Sequence, residues 1–240
     1  LYLNGNSQLT VKQGNIHINS DSEDAVGIKG NPQVHNEPRI QTATATTSIH
    51  DLDDDVKEAF SPEPTVAGYK SDPLEELSPP DRKSCKDLDD IKKDTTLKPG
   101  CYTGGINVKK GTLTLDPGHY WIEGGIELSG NATIIGRGVM LYIADSNDVD
   151  LSGCERCCFT PPSTGVYAGI TFFGARSDEQ DHHHHHDGDG PTFIFYGDNS
   201  VTTLEGIIYN PNGAVELSGN ATFKVNLYVN SLSLQGNDHI

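Results

Sequence analysis

Apolar residues in the first 45 positions come in short alternating runs. Leu1-Tyr2-Leu3, Leu9-Thr10-Val11, Ile16-His17-Ile18 and Val26-Gly27-Ile28 each stop at a polar or Gly-Asn turn such as Gly5-Asn6, Gly14-Asn15 or Gly30-Asn31. Alternation over so few residues predicts short, half-buried strands. Asn and Gly tolerate the positive φ that a sharp corner needs. Strands this short are marginal as a flat sheet and natural as the edges of a solenoid.

The pattern breaks between residues 46 and 96. That stretch carries Asp51-Leu52-Asp53-Asp54-Asp55, Pro62, Pro64, Asp72-Pro73-Leu74, Pro79-Pro80 and many Lys and Glu. Val56 and Phe60 share a face at i, i+4, which predicts one short helix between Asp51 and Phe60. The rest reads as an extended strap that crosses the body and covers an apolar side or an end.

From Leu97 the strands return with repetition. Leu97-Lys98-Pro99-Gly100-Cys101-Tyr102-Thr103-Gly104-Gly105-Ile106 is echoed by Leu115-Asp116-Pro117-Gly118-His119-Tyr120-Trp121-Ile122-Glu123-Gly124-Gly125-Ile126, and Glu127–Thr133 by Glu216–Thr222. The first echo is offset by roughly 18 to 20 residues, the period of a stacked coil in which no unit buries its own apolar face. The pieces Gly105–Val108, Thr112–Leu115, Tyr120–Ile122, Gly125–Leu128 and Ala132–Ile135 give about three strands per coil. Longer apolar strands follow at Val139–Ile143, Gly169–Phe173, Phe193–Tyr196, Leu204–Tyr209 and Phe223–Leu234. The predicted fold is all-β: a parallel β-helix (β-solenoid) with an extended strap insertion. Its parts are N-terminal coils over 1–45, the strap over 46–96, and a main body over 97–240 with a His-rich loop at 174–192. An antiparallel sandwich, the alternative, leaves the echoes unexplained.

Composition narrows the function. Hydrophobic residues make up 34% of the 240, below the roughly 45–50% of compact domains, so the core is thin and long. The net charge of −17 repels a phosphate backbone and excludes nucleic acid as a partner. It favours solubility and divalent cations. No run of 18 apolar residues occurs. The chain does not start with Met, and the expectation is a processed or trimmed start with room for a membrane anchor upstream of Leu1.

The candidate chemistry lies in two clusters. Of five cysteines, Cys85 and Cys101 stand beside strand signals. In an oxidising compartment they pair, closing a loop of about 17 residues worth about 3 kcal/mol on the chain-entropy model. Cys154, Cys157 and Cys158 could hold a local disulfide, a metal or a link to another subunit, with disulfide the favoured reading. The second cluster is Asp181, His182, His183, His184, His185, His186, Asp187 and Asp189. Imidazole beside carboxylate suits Zn²⁺, Ni²⁺ or Cu²⁺. Asp187–Gly190 resembles a calcium-loop fragment, with too few oxygens for Ca²⁺. Asp148 and Asp150 fall two apart and read as turn residues before acid–base residues. Asn131 and Asn220 belong to the repeated Ser-Gly-Asn-Ala-Thr turn. No nucleophile elbow, phosphate loop or zinc-hydrolase helix is present, so no catalytic residue is assigned.

Several of these elements occur in a familiar order. They are Leu9–Val11, Ile16–Ser20, Asp72–Pro80 leading to Cys85, Pro99–Gly105, Leu115–Tyr120, Gly138–Tyr142, Tyr167–Phe173, Leu204–Tyr209 and Leu217–Asn220. In this the chain resembles, over nearly its whole length, the C-terminal region of TadG-like proteins, associated with tight-adherence (Flp) pili. The resemblance implies a right-handed β-helix outside the membrane, with no catalytic residues to carry over. The His tract and the Cys154–Cys158 cluster depart from it. The expected function is a non-enzymatic surface or structural module, a pilus-associated scaffold or adhesion module at the cell surface. Its partners would be other surface or pilus proteins, or copies of itself. The alternatives are a self-assembling filament or matrix subunit, cross-linked by metal or thiol, and a β-helix that binds or cleaves polysaccharide.

Overall fold

Short apolar runs cannot close a core individually, and the chain solves this by stacking them. The computed structural model describes residues 1–11, 16–20, 25–36, 44–46, 54–61, 63–130, 132–176, 190–198, 203–220 and 223–236. It is 57% strand and 2% helix, a parallel β-helix. The chain forms two compact units, one of residues 1–77, 218–220 and 233–240, the other of 78–217 and 221–232.

In the first unit, β1 (Tyr2–Gly5), β2 (Gln8–Val11) and β3 (His17–Ile18) make one coil. The strands β4 (Gly27–Gly30), β5 (Gln33–Asn36) and β6 (Thr44–Thr46) make the next. Each lies parallel on its counterpart: β1 on β4, β2 on β5, β3 on β6. Leu3, Leu9 and Val34 are buried between them. In the third coil a helix, α1 (Asp54–Glu58), precedes β7 (Phe60–Ser61) and β8 (Thr65–Ala67), which pair with β5 and β6. The helix packs against β4 and β7 with Val56 buried. It stands where a third strand of the β1–β4 column would stand, so it ends that column without exposing a strand edge. On its other side β1 pairs with Ser233–Gly236. Gly219, Gly236, Gly5 and Gly30 line one corner at positive φ. A Cβ on Gly5 would sit 2.9 Å from Gly236 O, and one on Gly30 2.7 Å from Gly5 O. Only glycine lets the rungs approach so closely.

The second unit opens with β9 (Cys85–Asp87) and β10 (Thr95–Leu97). Then come β11 (Gly100–Thr103), β12 (Ile106–Val108), β13 (Thr112–Leu115), β14 (Gly118–Ile122), β15 (Ile126–Leu128), β16 (Ala132–Arg137), β17 (Val139–Ile143), β18 (Val149–Asp150) and β19 (Cys154–Thr160). The last four are β20 (Ile170–Gly174), β21 (Phe193–Asp198), β22 (Thr203–Asn220) and β23 (Lys224–Gly236). Three parallel columns result. One runs β9, β11, β14, β17, β20, β22. The second runs β12, β15, β18, β21. The third runs β10, β13, β16, β19, β22. Inside, Ile106, Leu113, Tyr120, Ile122, Ile134, Leu141 and Phe172 are fully enclosed.

The two parts of the first echo mean different things. Gly104-Gly105-Ile106 and Gly124-Gly125-Ile126 stack in register, Ile106 against Ile126. The Pro-Gly-x-Tyr copies do not: Gly100 opposes Tyr120. They repeat a local corner, in which a tyrosine hydroxyl donates to the carbonyl four residues back. Tyr102 reaches Lys98 O at 2.6 Å and Tyr120 reaches Asp116 O at 2.7 Å. Burial raises both hydroxyls above the ordinary tyrosine value, so they remain proton donors.

The stretch 46–96 is less of a strap than its composition predicts. Phe60–Ser61 and Thr65–Ala67 are rungs of the first unit, and Cys85–Asp87, Ile91 and Thr95–Leu97 form the first rung of the second. Isolated apolar residues among charges are enough to seat a rung when the neighbouring coil supplies the other half of the core: Phe60, Ile91 and Leu97 are all buried. The strand-free part is residues 68–84. The body of the second unit thus begins at Cys85, ahead of Leu97, and 218–220 and 233–240 group with the N-terminal coils.

Candidate functional site

The first column of the second unit carries chemistry on its outer face. Phe172 packs against Phe159, Phe193 and Phe195, from the other two columns, so it points inward and its neighbour Phe173 points outward. Through the register, Cys85, Cys101, Trp121, Tyr142, Phe173 and Tyr209 form one outer line across successive rungs. Ring centroids along it are 4.6 Å apart for Trp121–Tyr142, 5.4 Å for Tyr142–Phe173 and 5.0 Å for Phe173–Tyr209. The Arg176 guanidinium lies 5.7 Å from the Phe173 centroid and 5.4 Å from that of Tyr209, within cation–π range.

This aromatic line is covered. Tyr142, Phe173 and Tyr209 are buried, while Trp121 is partly exposed. Tyr167, from the turn before β20, lies 6.4 Å from Phe173 and edge-on to His119 at 4.7 Å, and its hydroxyl donates to Ser78 O at 2.9 Å. Arg82 donates to both oxygens of Glu123, at 2.7 and 3.3 Å, and Trp121 Nε1 donates to Glu123 Oε1 at 2.8 Å. Hydrogen bonds from Arg82 and Trp121 hold the Glu123 carboxyl below the usual range. His119 is lowered by burial and by Lys83. The Cys85–Cys101 disulfide joins β9 to β11. Residues 78–85 are therefore fastened to the column at three points.

The second cysteine cluster resolves into a Cys154–Cys157 disulfide and a buried free thiol at Cys158. A bulge between Ala132 and Thr133 of β16 lets β19 run one residue long at Glu155, which carries Cys154 toward Cys157. Asp148 Oδ1 accepts from Thr192 N at 2.7 Å and Asp150 Oδ1 from Ser152 N at 2.8 Å, so both serve turns.

The predicted metal ligands Asp181, His182–His186, Asp187 and Asp189 lie outside the described residues. The structure does describe where their loop leaves the body. Asn212 donates through Nδ2 to Ala175 O at 3.3 Å and accepts at its own carbonyl from Gly190 N at 3.0 Å. The buried Asn210 donates to Pro191 O at 2.7 Å. The stretch Asn210-Pro211-Asn212-Gly213 of β22 thus holds the residues on both sides of the segment. Sequence reading does not single out Trp121, Glu123, Arg82 or this neck. The one available signal was Trp121 itself, the sole tryptophan, two residues before an acid.

Compared with protein-family models, with curated proteins and with solved structures, the chain matches none of them. The two disulfides point to an oxidising compartment. No described helix is long and apolar enough to cross a membrane.

Proposed function

We propose that this protein is a non-catalytic extracellular scaffold or adhesion module, whose rigid β-helix presents loops at a cell surface. The observation that carries this reading is the neck. The His/Asp-rich segment is flanked by residues that Asn210 and Asn212 hold on both sides, on a frame of stacked, hydrogen-bonded rungs. Binding residues on loops held by a rigid scaffold are the common arrangement for recognition. The disulfides suit export, and the resemblance to TadG-like proteins suggests a pilus-associated setting with other surface proteins as partners.

The rival reading is end-to-end polymerisation, and the terminal rungs weigh against it. In the first unit, α1 occupies the third position of the β1–β4 column. In the second, the opening rung exposes Lys86, Asp87, Asp89, Asp90, Lys92, Lys93 and Asp94, and charges on an edge strand discourage pairing with another chain. Residues 78–85 also fold back on their own unit, through Ser78, Arg82 and Cys85. Light scattering with negative-stain electron microscopy, with and without Zn²⁺, Ni²⁺ or Ca²⁺, tests the reading. Monomers under all conditions support a displayed module. Regular filaments would overturn it in favour of a fibre subunit, and metal dependence would place the cross-link in residues 181–189.

A further inference from the structure

The Sγ atoms of Cys85 and Cys101 and a carboxylate oxygen of Glu123 all lie within 4.8 Å of one another. Three successive rungs supply them. Cys85 and Cys101 are register partners on β9 and β11, with Cα atoms 4.3 Å apart. Glu123 follows β14, two residues after Trp121, the register partner of Cys101 on the next rung. As a disulfide, the two sulfurs offer no thiolate and hold no metal. We propose that reduction of this disulfide converts the three side chains into a binding site for a soft divalent ion of the zinc class.

The chemistry balances. A small dithiol reductant delivers two electrons and two protons to the S–S bond and departs as its own cyclic disulfide, leaving two thiols. Each thiol gives its proton to solvent as its sulfur bonds the ion. Thiolate sulfur selects zinc-class ions over magnesium or calcium. Two sulfurs and one carboxylate make three protein ligands, with the fourth position left to water. Two thiolates and a carboxylate around a divalent ion leave one negative charge, and the Arg82 guanidinium, 2.7 Å from Glu123 Oε1, offsets it. The carboxylate is already oriented by Arg82 and by the Trp121 indole N–H, as outer partners orient metal ligands. Cys85 is partly exposed while Cys101 is buried, so a reductant approaches from the Cys85 side. The site is a two-state device: a covalent clasp when oxidised, a metal clasp across the same rungs when reduced. Bound metal would also protect the pair from reoxidation.

The test uses Cd²⁺ as the probe on the full chain, with His182–His186 changed to Ser and C154S/C157S/C158S introduced. The pair then supplies the only thiols, and the His tract cannot compete. Two readouts apply: the ultraviolet thiolate-to-cadmium charge-transfer band, and the emission of Trp121, the single tryptophan. The oxidised protein should show neither change. The reduced protein, freed of dithiol under argon, should show both, saturating at one equivalent. E123Q should weaken binding by at least about tenfold, the loss that even outer partners of a metal site cause, and C85S should abolish the band. Absence of the band at excess Cd²⁺, or equal affinity in E123Q, would overturn the proposal. So would loss of the β-sheet circular dichroism on reduction. Should the triple serine variant not fold, the same titration with the native cysteines, read at Trp121 and controlled by C85S, decides between the same outcomes.

Discussion

Truncating Phe172 to Ala should be among the most damaging single changes in the second unit. The side chain is fully enclosed, and its ring centroid lies 5.2 Å from Phe159, 5.8 Å from Phe193 and 5.2 Å from Phe195. It thereby ties all three columns together at one level. Losing about 150 Å² of buried apolar area at about 25 cal/mol per Å² costs about 4 kcal/mol. Three aromatic contacts at the low end of about 0.5 kcal/mol each bring the loss to about 5 kcal/mol, the top of the usual range for such truncations. Against a total stability of roughly 5–15 kcal/mol for an ordinary domain, that is a large share. Urea denaturation followed by circular dichroism measures it. F172L retains most of the volume and should lose no more than about half as much. Because each rung contacts only its neighbours, hydrogen exchange in F172A should rise first in β17, β20 and β21. A loss below about 2 kcal/mol in F172A would mean that Phe172 does not face the interior, and would reverse the assignment of Phe173 and Trp121 to the outer face.

Three further expectations follow from single contacts. Replacing Cys85 and Cys101 by Ser should cost about 3 kcal/mol on the chain-entropy model, with amide exchange accelerated mainly in residues 85–97; unchanged exchange there would refute a role in holding the first rung. Because the Arg82 and Trp121 bonds depress the folded-state value of Glu123, their stabilisation is present above the ordinary glutamate value and is lost as pH falls through the depressed one. Trp121 emission should therefore titrate with a midpoint below that of a free glutamate, and R82A should move the midpoint up; a midpoint unaffected by R82A would dissociate the two. G5A should lose more stability than G165A in thermal unfolding. Both glycines have positive φ, which costs an L-residue about 1–2 kcal/mol, but only Gly5 has a neighbour where a Cβ would go, Gly236 O at 2.9 Å, while Gly165 faces open space.

Much of the fold is legible in the residue pattern, because a stacked coil writes its period into the chain. The Gly-Gly-Ile echo falls on true register partners, Ile106 and Ile126. The pairing of Cys85 with Cys101 is legible too, since each cysteine adjoins a strand signal. The aromatic line is not. Trp121, Tyr142, Phe173 and Tyr209 recur at unequal intervals, because the coils after β17 carry long insertions. Moreover Val139–Ile143 and Ile170–Gly174 are buried at every position, so alternation no longer separates inside from outside. The cover over that line explains the continuous burial: a sheet packed on both faces must be apolar throughout. The rungs at Cys85 and Thr95 are hidden for the opposite reason, being seated by so few apolar residues that their charged neighbours dominate the local composition.

The pairing of β1 has a consequence for the order in which the molecule can be assembled. A ladder of local coils can zip from wherever it starts. Tyr2–Gly5, however, bonds to Gly27–Gly30 on one edge and to Ser233–Gly236 on the other, so one of its two partners is near in sequence and the other very distant. Closing so distant a contact is entropically expensive and slow. Tyr2–Gly5 must wait for Ser233–Gly236 before that edge is sealed. Until then it offers an open template to any other strand. A product cut short before Ser233 would keep that edge open, so the arrival of Ser233–Gly236 and the sealing of β1 are a single event.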